Sequence, residues 1–298
     1  MKSIVTGGNG FIGGHIVDAL IEKGHKVTVI DNLSSPFHEK FHYNDQALYL
    51  KLDINDPTVK GFFEGVDYVF HLAAESRIQP TIEDPVLACQ TNYVGTANVL
   101  QYAREAGAKR VMFSSTSSAY GLQPPPHRES LTPDPLNPYS VTKVSAERLC
   151  KMYHDLFGLE TVVFRYFNVY GPREPVKGQY APVVGRFLKQ QAAGELLTVV
   201  KPGTQTRDFV HVNDIVRANI AAMEAGSEVA NGDVYNIGTG ESISIKALAQ
   251  RIKSAINWLP ERQGEAKHTL ADISKSKKML NWEPQEDLEE YIKNYLTQ

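Results

Sequence analysis

A tyrosine and a lysine one helical turn apart offer the clearest chemistry in this chain. Tyr139 and Lys143 lie in a segment whose pattern predicts a helix, so their side chains share one face. A lysine ammonium beside a phenol stabilises the phenolate and lowers the pKa of the tyrosine toward working pH. Such a phenolate can take the proton of an alcohol while the carbon loses hydride to a nicotinamide. Taken alone, the pair also fits an ordinary solvated helix face.

Hydroxyl side chains crowd the end of the strand predicted before this helix. They are Ser114, Ser115, Thr116, Ser117 and Ser118. In an open α/β sheet the C-terminal strand ends border the cofactor crevice, so one of these hydroxyls can hydrogen-bond the reacting oxygen. Turn chemistry alone accounts for some of them.

A glycine-rich segment and an acidic residue indicate a dinucleotide site. Gly7, Gly10 and Gly13 form G-x-x-G-x-x-G between a predicted strand and a predicted helix. Glycines let the backbone turn sharply and approach a pyrophosphate, and the helix N-terminus offers free N–H groups. Asp31 ends the second predicted strand, where a carboxylate binds both ribose hydroxyls and repels a 2′-phosphate, which favours NAD over NADP. Asp53, with Ile54, could hold the adenine edge or serve as a turn residue.

Alternating strands and helices position these residues. Predicted strands cover residues 3–6, 26–30, 47–52, 68–71, 110–114 and 161–165, and predicted helices cover 11–23, 58–63, 86–106 and 137–157. The alternation predicts right-handed βαβ units on a parallel sheet that is covered on both faces. The pattern then loosens: a turn-rich break at 170–175 and a short apolar run at 197–200 accompany predicted helices at 183–193, 214–225, 245–256, 273–280 and 288–296.

The composition excludes several classes of protein. Of 298 residues, 42% are hydrophobic and 22% charged, which suits a folded chain with a sizeable core. A net charge of -3 gives no reason to expect nucleic acid or a membrane surface as a partner. Two cysteines are too few for a disulfide framework, and nine histidines without ligand spacing predict no metal site. With no apolar run of about 18 residues and no signal-peptide pattern, we expect a cytoplasmic protein.

The ordered set of motifs resembles the extended short-chain dehydrogenase/reductases and, within them, the nucleotide-sugar epimerases. The matching motifs are Thr6-Gly7-Gly8-Asn9-Gly10-Phe11-Ile12-Gly13, Asp31-Asn32-Leu33, His71-Leu72-Ala73-Ala74, Asn92, residues 114–121, Tyr139-x3-Lys143, residues 165–173, residues 207–212 and Ala271-Asp272. The implied fold class is α/β: a Rossmann doubly wound parallel sheet with a smaller, partly interleaved C-terminal lobe. Residues 1–170 would form the NAD-binding domain and 171–298 the nucleotide-sugar lobe, with the segment at about 207–240 returning to the first domain.

The resemblance also implies roles for individual residues. Tyr139 would be the catalytic base and acid, Lys143 its electrostatic partner and Thr116 the hydroxyl that contacts the sugar O4. The implied NAD-binding residues are Gly7, Gly10, Phe11, Ile12, Gly13, Asp31, Asn32, Asp53, Ile54, Leu72, Ala73, Ala74, Asn92, Ser114, Tyr139, Lys143 and Phe167. The implied substrate-binding residues are Thr116, Tyr139, Asn168, Val183, Thr198, Val199, Val200, Arg207, Arg262 and Glu265.

The implied reaction is the interconversion of UDP-glucose and UDP-galactose through transient oxidation at C4 by bound NAD. A homodimer through residues 86–106 and 137–157 is implied as well. No acidic residue directly follows Thr116, which argues against the family's 4,6-dehydratases, and Asp31 disfavours an NADPH-linked 4-keto reductase.

The sugar stays open. UDP-glucuronate and UDP-N-acetylglucosamine are the alternative 4-epimerase substrates, and a non-catalytic dinucleotide-sensing protein is a remote alternative. Arg77 could reach a substrate carboxylate, and the small Thr269 could admit an N-acetyl group.

Overall fold

A seven-stranded parallel sheet forms the centre of the protein. The computed structural model describes residues 1–178 and 180–297. The strands of the sheet are β1 (Lys2–Thr6), β2 (Lys26–Asp31), β3 (Leu48–Lys51), β4 (Tyr68–His71), β5 (Arg110–Thr116), β6 (Glu160–Tyr166) and β11 (Asn231–Ile237). Their order is β11-β6-β5-β4-β1-β2-β3, and the paired neighbours are parallel. The predicted doubly wound sheet is confirmed, and its strand order reverses between β1 and β4, where such sheets bind ligands.

Helices cover both faces of this sheet. The face helices are α1 (Phe11–Glu22) and α7 (Val212–Glu224) on one side, with α4 (Gly95–Glu105) and α5 (Pro138–Phe157) on the other. Because successive strand residues point to opposite faces, Val5 is buried against α1 and α7 while Ile4 is buried against α4 and α5. Each face therefore has its own apolar core, and both cores hold the strand ends in place.

A second lobe has a separate core and three small sheets. Its helices are α6 (Val183–Ala192), α8 (Ile245–Ile252) and α10 (Leu288–Leu296); α2 (Ile78–Glu83), α3 (Pro85–Cys89) and α9 (Ser274–Leu280) complete the α-helices described. The small sheets pair β7 (Asn168–Tyr170) with β10 (Phe209–His211), β8 (Leu197–Val200) with β13 (Ile256–Leu259), and β9 (Thr206–Arg207) with β12 (Ile243–Ser244). Phe187, Leu197 and Leu248 lie fully buried in the core of this lobe.

The chain passes between the lobes more than once. After β6 it enters the second lobe, and it returns with α7 and with β11, which pairs with β6 at the edge of the central sheet. It then leaves again for α8. The division at residue 170, with a returning segment at about 207–240, is kept as a proposal.

Several predicted helices differ in the structure. The predicted helix 86–106 is divided by a π-helical turn at Gln90–Val94, and the one predicted at 58–63 is a 3-10 helix, Pro57–Phe63. The helix predicted to reach residue 256 ends at Ile252, because Lys253 adopts a left-handed conformation with φ 58°. Within the described ranges, no helix is long and apolar enough to cross a membrane.

Candidate active site

A cavity of about 470 Å³ runs along the C-terminal ends of the central strands and into the second lobe. Most of the predicted site residues line it. They are Gly7, Gly10, Phe11, Ile12, Gly13, Asp31, Asn32, Asp53, Ile54, Leu72, Ala73, Ala74, Ser114, Thr116, Tyr139, Lys143, Phe167, Asn168, Val183, Arg207, Arg262 and Glu265. The fold thus brings the proposed cofactor and substrate residues to one continuous space.

The glycine loop between β1 and α1 has no room for side chains. A Cβ on Gly7, whose φ is 70°, would lie 2.7 Å from the Ala73 nitrogen, and a Cβ on Gly13 would lie 2.3 Å from the Gly7 oxygen. Gly10 is the N-cap residue of α1, and no side chain caps the first N–H groups of this helix. This cradle suits a pyrophosphate, which helix N-termini bind through N–H groups and the helix dipole.

Asp31 connects the glycine loop to the segment after β2. One of its carboxylate oxygens accepts a hydrogen bond from the Asn9 N–H at 3.0 Å, and the other accepts one from the Leu33 N–H at 2.9 Å. Burial raises the pKa of Asp31, and these two N–H groups counteract the rise. Asn32 donates to Asp53 at 2.8 Å, so the proposed ribose and adenine residues are linked directly. Cradle and carboxylate together fit an NAD molecule.

Helix α5 carries the tyrosine and the lysine at its N-terminal end. Asn137 caps the helix by accepting from the Ser140 N–H at 2.9 Å, and Pro138 begins it, so Tyr139 lies in the first turn. One turn further on, Lys143 is buried and its ammonium donates to the Ser114 carbonyl at 2.8 Å. The hydroxyl-rich end of β5 and this helix therefore meet at the cavity.

Burial and the neighbouring groups act in opposite directions on the pKa of Tyr139. Burial of the phenol raises the pKa of Tyr139, and the Thr116 hydrogen bond and the charge of Arg77 partly offset that rise. Burial lowers the pKa of Lys143 to about 8. The role of Lys143 as the electrostatic partner of Tyr139 stays a prediction, and the charge of Arg77 also favours the phenolate.

Asn92 is not among the residues that line the cavity, and its predicted place at the nicotinamide stays a prediction. The side chain is fully buried in the π-helical turn. Its oxygen accepts from the Glu75 N–H at 2.8 Å, and its nitrogen donates to the Glu75 carbonyl at 3.0 Å and to Thr142 at 3.1 Å. Asn92 thus ties the segment after β4 to α5, and π-helical turns often mark such places near functional sites.

The residues predicted beside the nucleotide base lie on a strand of the second lobe, and their contact with the base stays a prediction. Thr198, Val199 and Val200 belong to β8, and none of them is part of the cavity lining. Val199 is wholly buried in the core of the second lobe, and Thr198 donates to the side-chain oxygen of Gln190. Because successive strand residues point to opposite faces, Leu197 and Val199 are buried while Thr198 and Val200 are only partly buried.

Two arginines converge on one carboxylate at the second-lobe end of the cavity. Arg207 and Arg262 each place a guanidinium nitrogen 3.7 Å from an oxygen of Glu265. Burial lowers the pKa of Arg207, and the charge of Glu265 works against that change. Asn168 donates to the Asp208 carbonyl at 3.0 Å and to Thr269 at 3.2 Å. Planar guanidinium groups in this arrangement suit the oxygens of a diphosphate.

One acidic residue of the cavity wall was missed by the sequence reasoning. Glu174 is buried; one carboxyl oxygen accepts from the Gly185 N–H at 3.1 Å, and the other has no hydrogen-bond partner in the described part of the chain. Burial raises the pKa of Glu174 to about 8. Its only signal in the sequence was its place in the turn-rich break.

Among the described residues, no group of three or more His, Cys, Asp or Glu side chains could hold a metal ion.

Comparison with known proteins agrees with this geometry. Residues 3–238 match the NAD dependent epimerase/dehydratase family. A putative UDP-glucose 4-epimerase from Methanocaldococcus jannaschii is 36% identical over 300 residues, which cover 97% of this chain and 95% of that protein.

Solved structures agree as well. The UDP-glucose 4-epimerase of Thermotoga maritima, solved with UDP-glucose, has 36% identity and a TM-score of 0.93, and the match covers 100% of this chain and 99% of that one. The UDP-glucuronic acid 4-epimerase of Bacillus cereus, solved with UDP-glucuronic acid and NAD, has 33% identity and a TM-score of 0.91, with the same coverage of 100% and 99%. The predicted resemblance is confirmed, and this chain is an enzyme that belongs to the NAD-dependent epimerase/dehydratase family.

Proposed function

We propose that this enzyme is a UDP-sugar 4-epimerase that works with bound NAD, and that it interconverts UDP-glucose and UDP-galactose. One observation carries the proposal: Tyr139 and Thr116 lie on a cavity that has the glycine cradle and Asp31 at one end and the two arginines at the other. A base placed between a dinucleotide and a nucleotide sugar is what oxidation of a sugar carbon requires.

The cofactor end of the cavity would hold the dinucleotide through the glycine loop and Asp31. An NAD held there would supply a reversible hydride acceptor for C4 of the sugar. The solved relatives from T. maritima and B. cereus support both ligands, since one was determined with UDP-glucose and the other with UDP-glucuronic acid and NAD.

The residues of this chain supply the proton transfers. The Tyr139 phenolate accepts the O4 proton, and the Thr116 hydroxyl hydrogen-bonds the same oxygen and the phenolate. On return, Tyr139 donates the proton to O4 of the opposite configuration. Arg207 and Arg262 hold the diphosphate, so that the 4-keto hexose rotates about its anchor and presents its other face. Because Ser117 and Ser118 follow Thr116 on the cavity wall, this segment places no carboxylate there for an elimination.

Two sugar series deserve direct comparison. The motifs favour the glucose series, whereas an arginine on the cavity wall, Arg77, favours a sugar that carries a carboxylate. Relatives with each kind of name match this chain over nearly its full length.

The test is a conversion assay. Purified enzyme with added NAD is incubated separately with UDP-glucose, UDP-N-acetylglucosamine and UDP-glucuronate, and the C4 epimers are resolved by chromatography. We expect conversion of at least one, abolished in Tyr139→Phe with UDP binding nearly unchanged. Tyr295→Phe, on an exposed tyrosine of α10, is the matched control and should retain activity. Substantial turnover by Tyr139→Phe would refute the mechanism.

We also propose that the enzyme is a cytoplasmic homodimer. The expected dimer helices expose apolar side chains: Val86 and Val94 are 64% and 47% exposed, and Val141 on α5 is 46% exposed. Burying them against a second copy would remove this apolar surface from water. Light scattering should give twice the mass of the chain, and Val94→Glu with Val141→Glu should reduce it to that of one chain.

A further inference from the structure

Arg77 is a cation on the cavity wall that the proposed mechanism does not use for binding. It stands at the N-terminal end of α2, in the segment that follows β4. Its Nε atom is buried and has no hydrogen-bond partner in the described ranges. Within the same ranges Arg77 forms no ion pair with an acidic side chain. The guanidinium carbon of Arg77 lies 5.7 Å from the centre of the Phe37 ring. A partly buried guanidinium without a carboxylate partner is costly unless a ligand supplies the anion.

Arg77 shares the cavity wall with Glu174 and with Tyr139, the proposed base at O4. The charges of both groups raise the pKa of Arg77, against the effect of its burial. The two other anions expected in the cavity already have ligands, since the cofactor pyrophosphate has the start of α1 and the substrate diphosphate has Arg207 and Arg262.

Arg77 and Glu174 both line the cavity without forming an ion pair with each other, and each has a buried polar atom without a hydrogen-bond partner among the described residues. Burial raises the pKa of Glu174 to about 8, so near neutral pH most of the carboxyl group is protonated. One of its oxygens has no partner in the described part of the chain, and a protonated carboxyl can donate a hydrogen bond from that side. Arg77 and Glu174 together therefore present a positive charge and an O–H donor, which is the complement of a carboxylate.

We propose that Arg77, with Glu174 beside it, binds a carboxylate on the sugar, so that UDP-hexuronates are the preferred substrates; this rests on the proposed 4-epimerase function. Guanidinium and carboxylate form paired charge-assisted hydrogen bonds. A neutral hexose leaves the arginine without its anion, and sites built to bind a polar group discriminate strongly against analogues that lack it.

The test compares two substrates in one variant. We expect the wild-type enzyme to favour UDP-glucuronate over UDP-glucose in kcat/KM by at least about tenfold. Arg77→Gln should lower the ratio of the two kcat/KM values by roughly 100-fold, since a charge-assisted contact is lost for one substrate alone. Taking the ratio cancels any loss common to both substrates, including one that comes from the effect of Arg77 on Tyr139. Arg77→Lys should recover part of the ratio, and Arg128→Gln, on an arginine that is 68% exposed, is the matched control.

Binding and cofactor content separate the possible outcomes. Calorimetry should show tighter binding of UDP-glucuronate than of UDP-glucose to the wild-type enzyme and loss of that preference in Arg77→Gln. An equal loss on both substrates, or loss of bound NAD, would assign Arg77 to the cofactor phosphates and overturn the proposal. Conversion of UDP-glucose but not UDP-glucuronate would overturn it as well while leaving the 4-epimerase function intact. If none of the sugars is converted but UDP-glucuronate still binds more tightly than UDP-glucose, the 4-epimerase function is contradicted and the carboxylate site is not.

Discussion

Breaking a buried ion pair beneath the active site should cause a large and measurable loss of stability. Glu147 on α5 and Arg165 on β6 are only 5% and 3% exposed at their side chains. Arg165 donates to both oxygens of Glu147, at 2.9 Å and 2.7 Å, and Ser115 on β5 donates to one of them at 2.5 Å. Burial alone would lower the pKa of Arg165, but the hydrogen bonds and charge of Glu147 raise it overall. The pair therefore fastens the helix that carries Lys143 to two central strands.

The perturbation is Glu147→Gln, which keeps the shape and removes the negative charge. Removing one partner of a buried pair leaves an uncompensated charge and costs about 3–5 kcal/mol of unfolding free energy. At about 2 °C per kcal/mol for a chain of this size, the melting temperature should fall by roughly 6–10 °C. The double variant Glu147→Leu with Arg165→Met should recover most of the loss, because apolar pairs of similar volume replace buried ion pairs at little cost.

Denaturant unfolding followed by tryptophan fluorescence and circular dichroism measures this prediction. The matched control lies on the same helix: Asp155 pairs with Lys151, and both side chains are about half exposed. Asp155→Asn should cost less than about 1 kcal/mol, the range of a solvated pair. If Glu147→Gln costs no more than Asp155→Asn, or if the double variant is as unstable as the single one, the burial reasoning is wrong.

Other consequences concern the cradle, the base and acid stability. Gly13→Ala would place a Cβ 2.3 Å from the Gly7 oxygen. The affinity for NAD, followed as NAD retained through gel filtration, should therefore fall by tenfold or more, which is a binding free energy on the order of 1.4 kcal/mol. The control Gly61→Ala, where a Cβ meets nothing within 4 Å, should retain NAD fully. Thr116→Val removes a hydrogen bond that lowers the pKa of Tyr139, so the acidic limb of the kcat profile should move to higher pH; an unmoved limb would contradict that role. Burial lowers the pKa of His71 to about 3, so the folded state keeps it neutral while the unfolded chain binds a proton below about 6.5. Stability should therefore fall as pH drops from about 6.5 toward 3, by up to about 1.4 kcal/mol per pH unit, and denaturation of His71→Gln at stepped pH should show a shallower slope.

The strands that the sequence predicts well are those with strong local signals. The strand Tyr68–His71 was predicted with the bounds that it has, because a short apolar run between turns leaves little choice. Asn231–Ile237 was not recognised as a strand, since its polar residues weaken the pattern and its pairing with β6 decides its conformation. The π-helical turn at Gln90–Val94 was also missed, because a difference of one residue in a single turn leaves no periodic trace.

The candidate site likewise contains residues with a strong local sequence signal and residues without one. Gly7, Gly13 and Asp31 were predicted because backbone geometry restricts those positions to particular residue types. Val199 was placed at the substrate, but the core of the second lobe takes its side chain, and no local rule shows which face of a short strand is buried. Glu174 lacked any motif, since its place on the cavity wall depends on the packing of α6.

The late return of β11 to the central sheet has a consequence for synthesis on the ribosome. Until Asn231–Ile237 has emerged, β6 presents one open edge, a row of backbone N–H and C=O groups from Glu160 to Tyr166. Open edges of this kind recruit strands from other chains. The nascent chain must therefore be protected while much of the second lobe is translated, and an interrupted product that ends before Asn231 is prone to aggregate instead of forming a smaller dinucleotide-binding domain.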